Sequence, residues 1–256
     1  MDAHMSMKDQ RRQEIVQLID TKGSISFREI RDRFPTLSEV TLRGDLKQLD
    51  ADHLIVRTYG GARSIRYAIG VDIPINQRIA RSAAAKRAIA AKVRSLVSGN
   101  GTIFLDSGST TTALARVLPD ARYTVFTPSL SCANELASLQ KVTTIMPGGT
   151  LNEESMCLEG SRAIDGISDM RFEQMFLGAT AYAEGGFTCE LDEQAHLKRA
   201  AMARSEEIIL LMDSSKIERR GTFMICDIPD LDIVVSDGGL PQDFLKACAR
   251  ANVEVI

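Results

Sequence analysis

The 256-residue sequence has no hydrophobic run long enough to cross a membrane. Its longest apolar stretches, such as residues 208–212, fall far short of the ~20 residues that a spanning helix needs. The first twelve residues carry five charged side chains, so the apolar centre of a secretion signal is absent as well. These two absences predict a cytoplasmic protein with no membrane partner.

Cysteine and histidine are too scattered to suggest a metal site. The five cysteines are odd in number and contain no C-x-x-C pair, which is typical of buried thiols in a reducing compartment. The three histidines lie far apart and offer no zinc ligand set. A P-loop is missing, and Gly99 and Gly101 precede a strand rather than follow one, which excludes the dinucleotide fingerprint. We expect neither a metal nor a cofactor.

The chain as a whole also lacks a strong charge of one sign, since its formal net charge is −3. Residues 1–94 hold 18 Lys and Arg against 11 Asp and Glu, whereas residues 95–256 hold 13 against 23. The cations concentrate in residues 57–94, where nine of them meet one anion, while residues 1–66 alone hold 12 against 10. A basic front and an acidic back predict two domains with different tasks.

Residues 10–62 have the pattern of three helices followed by a hairpin. An apolar stripe at i, i+3, i+4 spacing marks the first helix, which ends at Gly23. Ser26 and Glu29 form a capping box that opens the second helix, and Pro35 ends it. These signals place two short helices before a third.

The third helix and the segment after it complete a winged helix-turn-helix pattern. Three leucines at helical spacing share one face of this helix, which Thr36 or Ser38 can cap. Residues 54–58 have the composition of a strand, and Gly60-Gly61 predicts its turn. The polar faces of the helix can contact base edges and phosphates in a major groove. A small helical bundle with a solvated polar face is the alternative, although the basic segment that follows favours DNA.

Residues 38–49 and 54–62 closely resemble the front domain of the DeoR family of bacterial repressors. That family carries S-x-x-T-[apolar]-R-R-D-L-x-x-L and then a hairpin with [apolar]-x-R-x-x-G-G-A, and a dozen positions fit at fixed spacing. Gly44 stands in place of the second arginine, which costs about 1 kcal/mol of helix propensity relative to alanine and removes a cation. The resemblance implies double-stranded operator DNA as a partner, contacted by Ser38, Glu39, Thr41, Arg43, Lys47, Arg57, Tyr59 and Arg63.

Residues 67–98 are expected to connect the two domains. Residues 77–97 are rich in Ala, Arg and Lys, and their apolar stripe predicts a single helix. This helix can dock on a domain with its charges in solvent, which we favour, or it can contact DNA directly.

Residues 99–256 alternate short apolar runs with helical patterns, which is typical of βαβ units and a mainly parallel sheet. The predicted strands cover residues 102–105, 123–127, 142–145, 174–177, 208–212, 233–235 and 253–256, and the predicted helices 111–118, 130–139, 191–204 and 241–251. The expected fold class is α/β: an N-terminal winged helix-turn-helix domain over residues 1–66, followed after the linker by a larger α/β domain over residues 99–256.

Three segments that follow predicted strands carry polar groups at the edge where ligands of open α/β sheets bind. Residues 106–112 combine a glycine with several hydroxyls at a helix N-terminus, where backbone N–H groups favour an anion. An ordinary capped turn is the alternative. Gly148 and Gly149 can admit a ligand to the backbone or form a plain tight turn. Lys216 can pair with a phosphate or be an ordinary surface lysine.

These segments occur in the order found in the effector domain of the DeoR family, so the resemblance covers nearly the whole chain. That domain is similar in fold to ribose-5-phosphate isomerase and binds phosphorylated sugars. Gln194 stands where the family has an acidic residue, which bears on the identity of the effector. The effector-binding residues that the resemblance implies are Asp106, Ser107, Gly108, Ser109, Thr110, Thr111, Gly148, Gly149, Thr150, Gly178 and Lys216.

The leading hypothesis is a sequence-specific DNA-binding transcriptional regulator, a repressor of a carbohydrate-metabolism operon controlled by a phosphorylated sugar. One winged helix reads a short half-site, so we expect a homo-oligomer, either a dimer or a tetramer. The alternative is a sugar-phosphate isomerase-like enzyme with an added DNA-binding domain. No acid–base pair stands out by spacing, so we expect no enzyme and no catalytic residues. A third hypothesis gives the back domain oligomerisation as its sole role.

Overall fold

The computed structural model describes residues 7–52, 54–64, 74–183, 185–219 and 221–256. Contacts divide the chain into two units, Met1–Val71 and Asp72–Ile256. The boundary that we predicted after residue 66 lies outside the described residues, and the helical part of the predicted linker belongs to the second unit. Within the described ranges, no helix is both long and apolar enough to cross a membrane.

The first unit is a winged helix-turn-helix, as predicted. Its elements are α1 (Met7–Lys22), β1 (Ser24–Ser26), α2 (Phe27–Arg33), α3 (Glu39–Ala51), β2 (Ile55–Thr58) and β3 (Gly61–Ser64). The three strands form an antiparallel sheet in the order β1-β3-β2. Strand β1 was not predicted, because three residues are too few to show an alternating pattern.

The predicted caps and apolar stripes of the three helices are present. The Ser26 hydroxyl accepts the N–H of Glu29 while the Glu29 carboxylate accepts the N–H of Ser26, which completes the capping box. Ser38 caps α3 by accepting the N–H of Thr41 at 3.1 Å. The buried side chains of the helices meet in one core, which contains Ile15, Ile19, Ile30, Leu42, Leu46 and Leu49.

Gly61 is a strand residue, so the predicted Gly60-Gly61 turn is wrong by one position. Tyr59 and Gly60 make the turn, and Gly61 pairs with Ser26 of β1. A Cβ atom at position 61 would lie 2.0 Å from the carbonyl oxygen of Ile25. Glycine is therefore required here because β1 and β3 approach each other so closely.

A buried carboxylate ties α1 to α3. Asp45 lies on the inner face of α3, where its side chain is 3% exposed. Its Oδ2 accepts from Arg11 Nε at 2.6 Å and its Oδ1 from Arg12 Nε at 2.9 Å. Burial works to raise the pKa of Asp45, but the two guanidinium groups outweigh burial and hold this pKa below its ordinary value. The position of α3 therefore depends on a charge interaction as well as on apolar packing.

The second unit contains the remaining helices and strands, joined by short 3₁₀ turns at Ser214–Lys216 and Ile228–Asp230. In chain order they are α4 (Ile75–Ala80), α5 (Ala83–Val93), β4 (Thr102–Leu105), α6 (Ser109–Ala115), β5 (Tyr123–Phe126), α7 (Leu130–Leu136), β6 (Val142–Ile145), β7 (Thr150–Asn152), β8 (Cys157–Glu159), α8 (Ser161–Asp165), β9 (Phe172–Gly178), β10 (Ala181–Ala183), β11 (Gly186–Cys189), α9 (Asp192–Met202), β12 (Ser205–Leu211), β13 (Phe223–Cys226), β14 (Ile233–Val235), α10 (Gln242–Arg250) and β15 (Glu254–Val255).

A seven-stranded parallel sheet in the order β15-β14-β12-β9-β4-β5-β6 organises this unit. Each of its strands overlaps a predicted one. Alternate residues of β12 face different cores: Ile209 and Leu211 pack with α5, α6 and α7, whereas Leu210 packs with α8, α9 and α10. Helices thus cover both faces of the sheet, which confirms the predicted α/β class.

The strands that sequence analysis missed lie outside the main sheet. They form the antiparallel hairpin β7–β8 and the antiparallel sheet β10-β11-β13. Each has only three or four residues, which is too few to show a clear period.

The predicted single helix over residues 77–97 is two helices. Arg81 and Ser82 separate α4 from α5, and Ser82 has a left-handed backbone with φ of +48°. The break was not predicted because alanine, arginine and lysine all favour helices.

We predict that Asp45→Asn lowers the free energy of unfolding of the first unit by about 2 kcal/mol, because it removes a buried charge from two guanidinium groups that are only one-fifth exposed. Because the folded pKa lies below the unfolded value, this stabilisation is complete above about pH 4 and is lost as the pH falls through the folded pKa. Chemical denaturation of the full chain across this pH range measures both effects.

Asp32→Asn is the matched control, since Asp32 is 62% exposed and pairs with arginine at the surface. Its expected effect is below about 0.5 kcal/mol. An Asp45→Asn denaturation curve that coincides with the wild-type curve at every pH would contradict the prediction.

Candidate functional site

All eight residues predicted to contact DNA are exposed in the first unit. They belong to α3 and its cap or to the hairpin: Ser38, Glu39, Thr41, Arg43, Lys47, Arg57, Tyr59 and Arg63. Val40 on the same helix is 82% exposed and was not predicted. An exposed valine on a recognition helix can contact a thymine methyl group, so it extends the candidate reading face.

Arg43 is held between an aromatic ring and a carboxylate. Its guanidinium carbon lies 4.1 Å from the centroid of the Phe27 ring, and its Nη2 lies 3.7 Å from Glu39 Oε2. A cavity of about 100 Å³ lies between α3 and the hairpin, with Arg43, Arg57 and Tyr59 among its lining residues. The helix and the wing therefore present their polar groups to one shared groove.

Gly44 lies in the interior of α3 on its exposed side. A Cβ atom at this position would meet no other atom within 4 Å, so packing does not require the glycine. Nothing in the structure explains why glycine stands here.

In the second unit, the loop after β4 lies at the carboxyl end of the parallel sheet, as predicted. Gly108 has φ of +143°, and α6 begins at the next residue. Each side chain of this loop is less than one-tenth exposed, namely those of Asp106, Ser107, Ser109, Thr110 and Thr111. The loop is therefore a packed part of the unit rather than a surface turn.

The hydroxyl groups of the loop differ in their bonding. Thr111 Oγ1 and Thr112 Oγ1 donate to the carbonyl oxygen of Gly108 at 2.9 and 2.7 Å. Thr110 Oγ1 is buried and has no hydrogen-bond partner in the described part of the chain. Buried polar atoms normally have partners, so this hydroxyl is the clearest candidate in the loop for a contact with a ligand.

The Asp106 carboxylate is engaged within the protein. Lys198 Nζ donates to Asp106 Oδ2, and both side chains are 5% exposed or less. The N–H of Gly178 donates to the same oxygen at 2.9 Å, and Lys198 also donates to the Gly178 carbonyl at 3.2 Å. Burial works to lower the pKa of Lys198, but Asp106 outweighs burial and raises it. Asp106 thus anchors the site.

Sequence analysis did not single out Lys198 as a site residue. The signal was present, because Lys198 lies on the same face of α9 as the buried residues Ala195 and Ala201. A lysine within an apolar helical stripe predicts a buried ion pair.

Gly178 and Lys216 lie beside the loop. A Cβ atom on Gly178 would lie 3.4 Å from Asp106 Oδ2, so β9 passes close to the anchor. Lys216 Nζ donates to the carbonyl oxygen of Ala179 at 2.7 Å. Burial is the main cause that lowers the pKa of Lys216 to about 8. Asp213 opposes this lowering, and the cations Lys86, Arg78 and Arg219 add to it.

Gly148, Gly149 and Thr150 lead into the hairpin β7–β8. Gly148 and Gly149 have φ of +83° and +113°, and a Cβ atom at position 149 would lie 2.6 Å from the carbonyl oxygen of Glu159. Thr150 pairs with Glu159 across the hairpin. Backbone packing thus accounts for Gly149, and a contact of these three residues with a ligand stays a prediction.

Together, a winged helix and an α/β unit with a buried hydroxyl-rich loop define a DNA-binding protein with a separate sensor domain. Residues 11–67 match the DeoR-like helix-turn-helix domain, and residues 81–238 match the DeoR C terminal sensor domain. The chain belongs to the DeoR family of transcriptional regulators, which confirms the resemblance found in the sequence. This family is one of transcriptional regulators rather than of enzymes.

Relatives cover nearly the whole chain. The putative aga operon transcriptional repressor of Escherichia coli O157:H7 is 31% identical over 250 residues, which are 96% of this chain and 93% of the relative. The glycerol-3-phosphate regulon repressor of Escherichia coli K12 is 28% identical over 248 residues, with coverage of 96% and 97%. Ribose 5-phosphate isomerase A from Methanocaldococcus jannaschii is 15% identical, with coverage of 52% and 53% and a TM-score of 0.38, which carries no functional argument.

We predict that Asp106→Asn and Lys198→Met each lower the free energy of unfolding of the second unit by about 3 kcal/mol, because each leaves one buried charge without its partner. The double variant is expected to lose less than the sum of the two single losses, since neither charge remains. Urea denaturation of the full chain measures the three values.

Lys246→Met is the control, since Lys246 and Asp243 form an exposed pair at 3.3 Å. It is expected to change stability by less than about 0.5 kcal/mol. Strictly additive losses in the Asp106 and Lys198 double variant would show that the two groups do not act as a pair.

Proposed function

We propose that this chain is a repressor of a carbohydrate-metabolism operon whose operator binding is controlled by a phosphorylated sugar. The observation that carries the proposal is the buried loop at the sheet edge, in which Thr110 presents a hydroxyl with no partner among the described residues. The family description of the second unit as a sensor, and the names of the two repressors above, support it. Such a role agrees with the cytoplasmic location expected from the sequence.

The phosphate group of the effector binds at the start of α6. The first N–H groups of a helix have no partner within the helix, and Ser107, Ser109 and Thr110 add hydroxyl donors. Lys216 supplies positive charge, and Gly178 leaves space beside the loop. Asp106 positions these groups through Lys198 and the N–H of Gly178.

The hairpin residues Gly148, Gly149 and Thr150 form the rim of this proposed pocket. Strand β8 of the hairpin supports that placement, because the N–H of Leu158 donates at 2.8 Å to the carbonyl oxygen of Pro128, in the loop that follows β5 at the same edge of the sheet. No catalytic residue is proposed, since the buried acid and base of the site, Asp106 and Lys198, are bonded to each other.

The first unit places α3 in a major groove and the hairpin beside it. One such unit reads a short half-site, so the repressor acts as a homo-oligomer, either a dimer or a tetramer. The effector controls repression by binding more tightly to the state with low affinity for DNA.

We predict that the full-length protein binds a fragment of its own upstream DNA and that a member of a sugar-phosphate panel weakens this binding. Arg43→Ala is expected to weaken it about 5- to 150-fold, because a lost arginine contact to a base costs about 1–3 kcal/mol. Fluorescence anisotropy at one fixed salt concentration measures these affinities.

Lys8→Ala removes an exposed lysine of α1 outside the predicted reading face and is expected to stay within about threefold of wild type. No specific DNA binding by the wild type, with or without any sugar phosphate, would refute the proposed function.

We predict that Thr110→Val leaves the stability of the ligand-free protein unchanged or raises it by up to about 1 kcal/mol, because it removes a buried hydroxyl that has no partner in the described chain. The same change is expected to reduce the thermal shift caused by the active sugar phosphate, since one ligand contact is lost.

Thr112→Val serves as the control, because it is expected to lower the stability of the ligand-free protein while leaving the ligand-induced thermal shift in place. It removes a hydroxyl that donates to Gly108, so it lowers stability by about 1 kcal/mol. A Thr110→Val variant that loses stability like Thr112→Val and retains the full ligand shift would refute the assignment of Thr110.

A further inference from the structure

Two basic side chains of the second unit lie close enough for each to disfavour the charge of the other: Lys216, which sequence analysis assigned to the effector site, and Lys86, which it did not. Lys86 of α5 is 4% exposed, and Lys216 follows β12. Lys86 Nζ donates to the carbonyl oxygen of Arg78 and, at 2.6 Å, to that of Arg81. Lys86 therefore holds the carboxyl-terminal end of α4.

The charges around these two lysines are mostly of the same sign. Asp213 favours the charged form of both lysines, whereas Arg78 disfavours the charged form of both. Arg81 also disfavours the charged form of Lys86, and Arg219 that of Lys216. Burial is the largest effect, and it lowers the pKa of each lysine to about 8. We call the five cations and the one carboxylate of this group the cation cluster: Arg78, Arg81, Lys86, Lys216 and Arg219 with Asp213.

The cation cluster adjoins the proposed phosphate loop through two contacts. Helix α4, which carries Arg78, packs against α6. Lys216 donates to the carbonyl oxygen of Ala179, which follows Gly178 in the chain. The N–H of Gly178 in turn donates to Asp106 at the base of the loop. These contacts bring the cluster and the start of α6 to the same part of the second unit.

We propose that Lys86 and Arg78, together with Lys216, receive the charge of the effector phosphate, because Lys86 bonds to the Arg78 carbonyl on α4, α4 packs against α6, and Lys216 bonds to Ala179 beside Gly178. This inference rests on the proposed function and names the groups that recognise the phosphate. A phosphate dianion supplies the negative charge that one carboxylate provides only in part, and its oxygens accept from ammonium and guanidinium donors.

Phosphate binding at Lys86 also acts on helix α4. An ammonium has three donors, and two of those on Lys86 already bond to carbonyl groups at the end of α4. A phosphate that attracts Lys86 competes with these carbonyls, so effector binding alters the hold on α4. Helix α4 is the first helix of the second unit along the described chain.

A purely structural role for Lys86 makes a different prediction. A cation at the carboxyl end of a helix stabilises it through the helix dipole and through bonds to its last carbonyls. Lys86→Gln separates the two roles, since an amide still donates to carbonyls but carries no charge. A matched control is Lys92→Gln on the same helix, because Lys92 is half-buried and donates to the Ser236 carbonyl at 2.9 Å.

The test uses inorganic phosphate as the probe and the full-length protein in isothermal titration calorimetry at pH 8, with chloride at equal ionic strength as the reference anion. The wild type is expected to bind one phosphate per chain at millimolar concentrations. Lys86→Gln and Lys216→Gln are expected to weaken binding at least tenfold, whereas Lys92→Gln stays within twofold. Circular dichroism and thermal unfolding show that each variant is folded.

Proton uptake provides a second readout that a structural role would not change. Phosphate favours the charged form of both lysines, so binding at pH 8 to 9 draws protons from the buffer. Titrations in two buffers of different ionisation enthalpy measure this uptake, which is expected to fall in Lys86→Gln. Affinity is expected to decrease as the pH rises through about 8, where the two lysines lose their protons.

Three results would overturn the inference: no phosphate binding by the wild type, equal affinities in Lys86→Gln and Lys92→Gln, or proton uptake that Lys86→Gln leaves unchanged. The DNA-binding assay separates this failure from failure of the proposed function. Sugar-phosphate control of operator binding that survives Lys86→Gln at full affinity refutes the inference alone. The opposite result is also possible: phosphate binding depends on Lys86, but no sugar phosphate changes DNA binding. That result supports the inference and refutes the proposed function.

Discussion

The buried ion pair between Asp106 and Lys198 holds the sensor site together. It joins the end of β4, the end of β9 and the inner face of α9, since Asp106 also accepts the N–H of Gly178. Neither charge is stable in this interior without the other, so their pairing constrains all three elements. The loop of hydroxyl groups and the start of α6 follow directly from Asp106 in the chain and take their position from it.

A similar constraint operates in the first unit, where Asp45 lies between Arg11 and Arg12. In both units an inward-facing carboxylate positions a helix that the proposed function assigns to a ligand: α3 to DNA and α6 to the effector. The acids are used for positioning, and the groups left for recognition are hydroxyls, N–H groups and cations. Such a set suits the two anionic partners of the proposed function, phosphodiester and phosphate.

Local patterns in the sequence predicted the parts of the fold that depend on local chemistry. The capping box of α2, the cap of α3 and the seven strands of the parallel sheet follow from residue type and spacing. The left-handed Ser82 and the close approach at Gly61 depend on tertiary contacts, so composition did not reveal them. The same limit applies to the candidate site. Helical spacing could have indicated that Lys198 is buried, but its partner Asp106 lies 92 positions away in the sequence, and no spacing rule identifies that partner.

The structure assigns most of the basic segment of the sequence to the second unit rather than to the winged helix. Six of the nine cations of residues 57–94 lie between residues 78 and 94, within the second unit. Two of these, Arg78 and Lys86, interact electrostatically with Lys216, and Ile89 and Val93 of α5 are buried in the same core as α6. The acidic second half of the chain thus acquires a local basic cluster from the segment before it. Because a buried cluster acts over short distances while surface charges are screened by salt, an acidic domain can still recognise a phosphate.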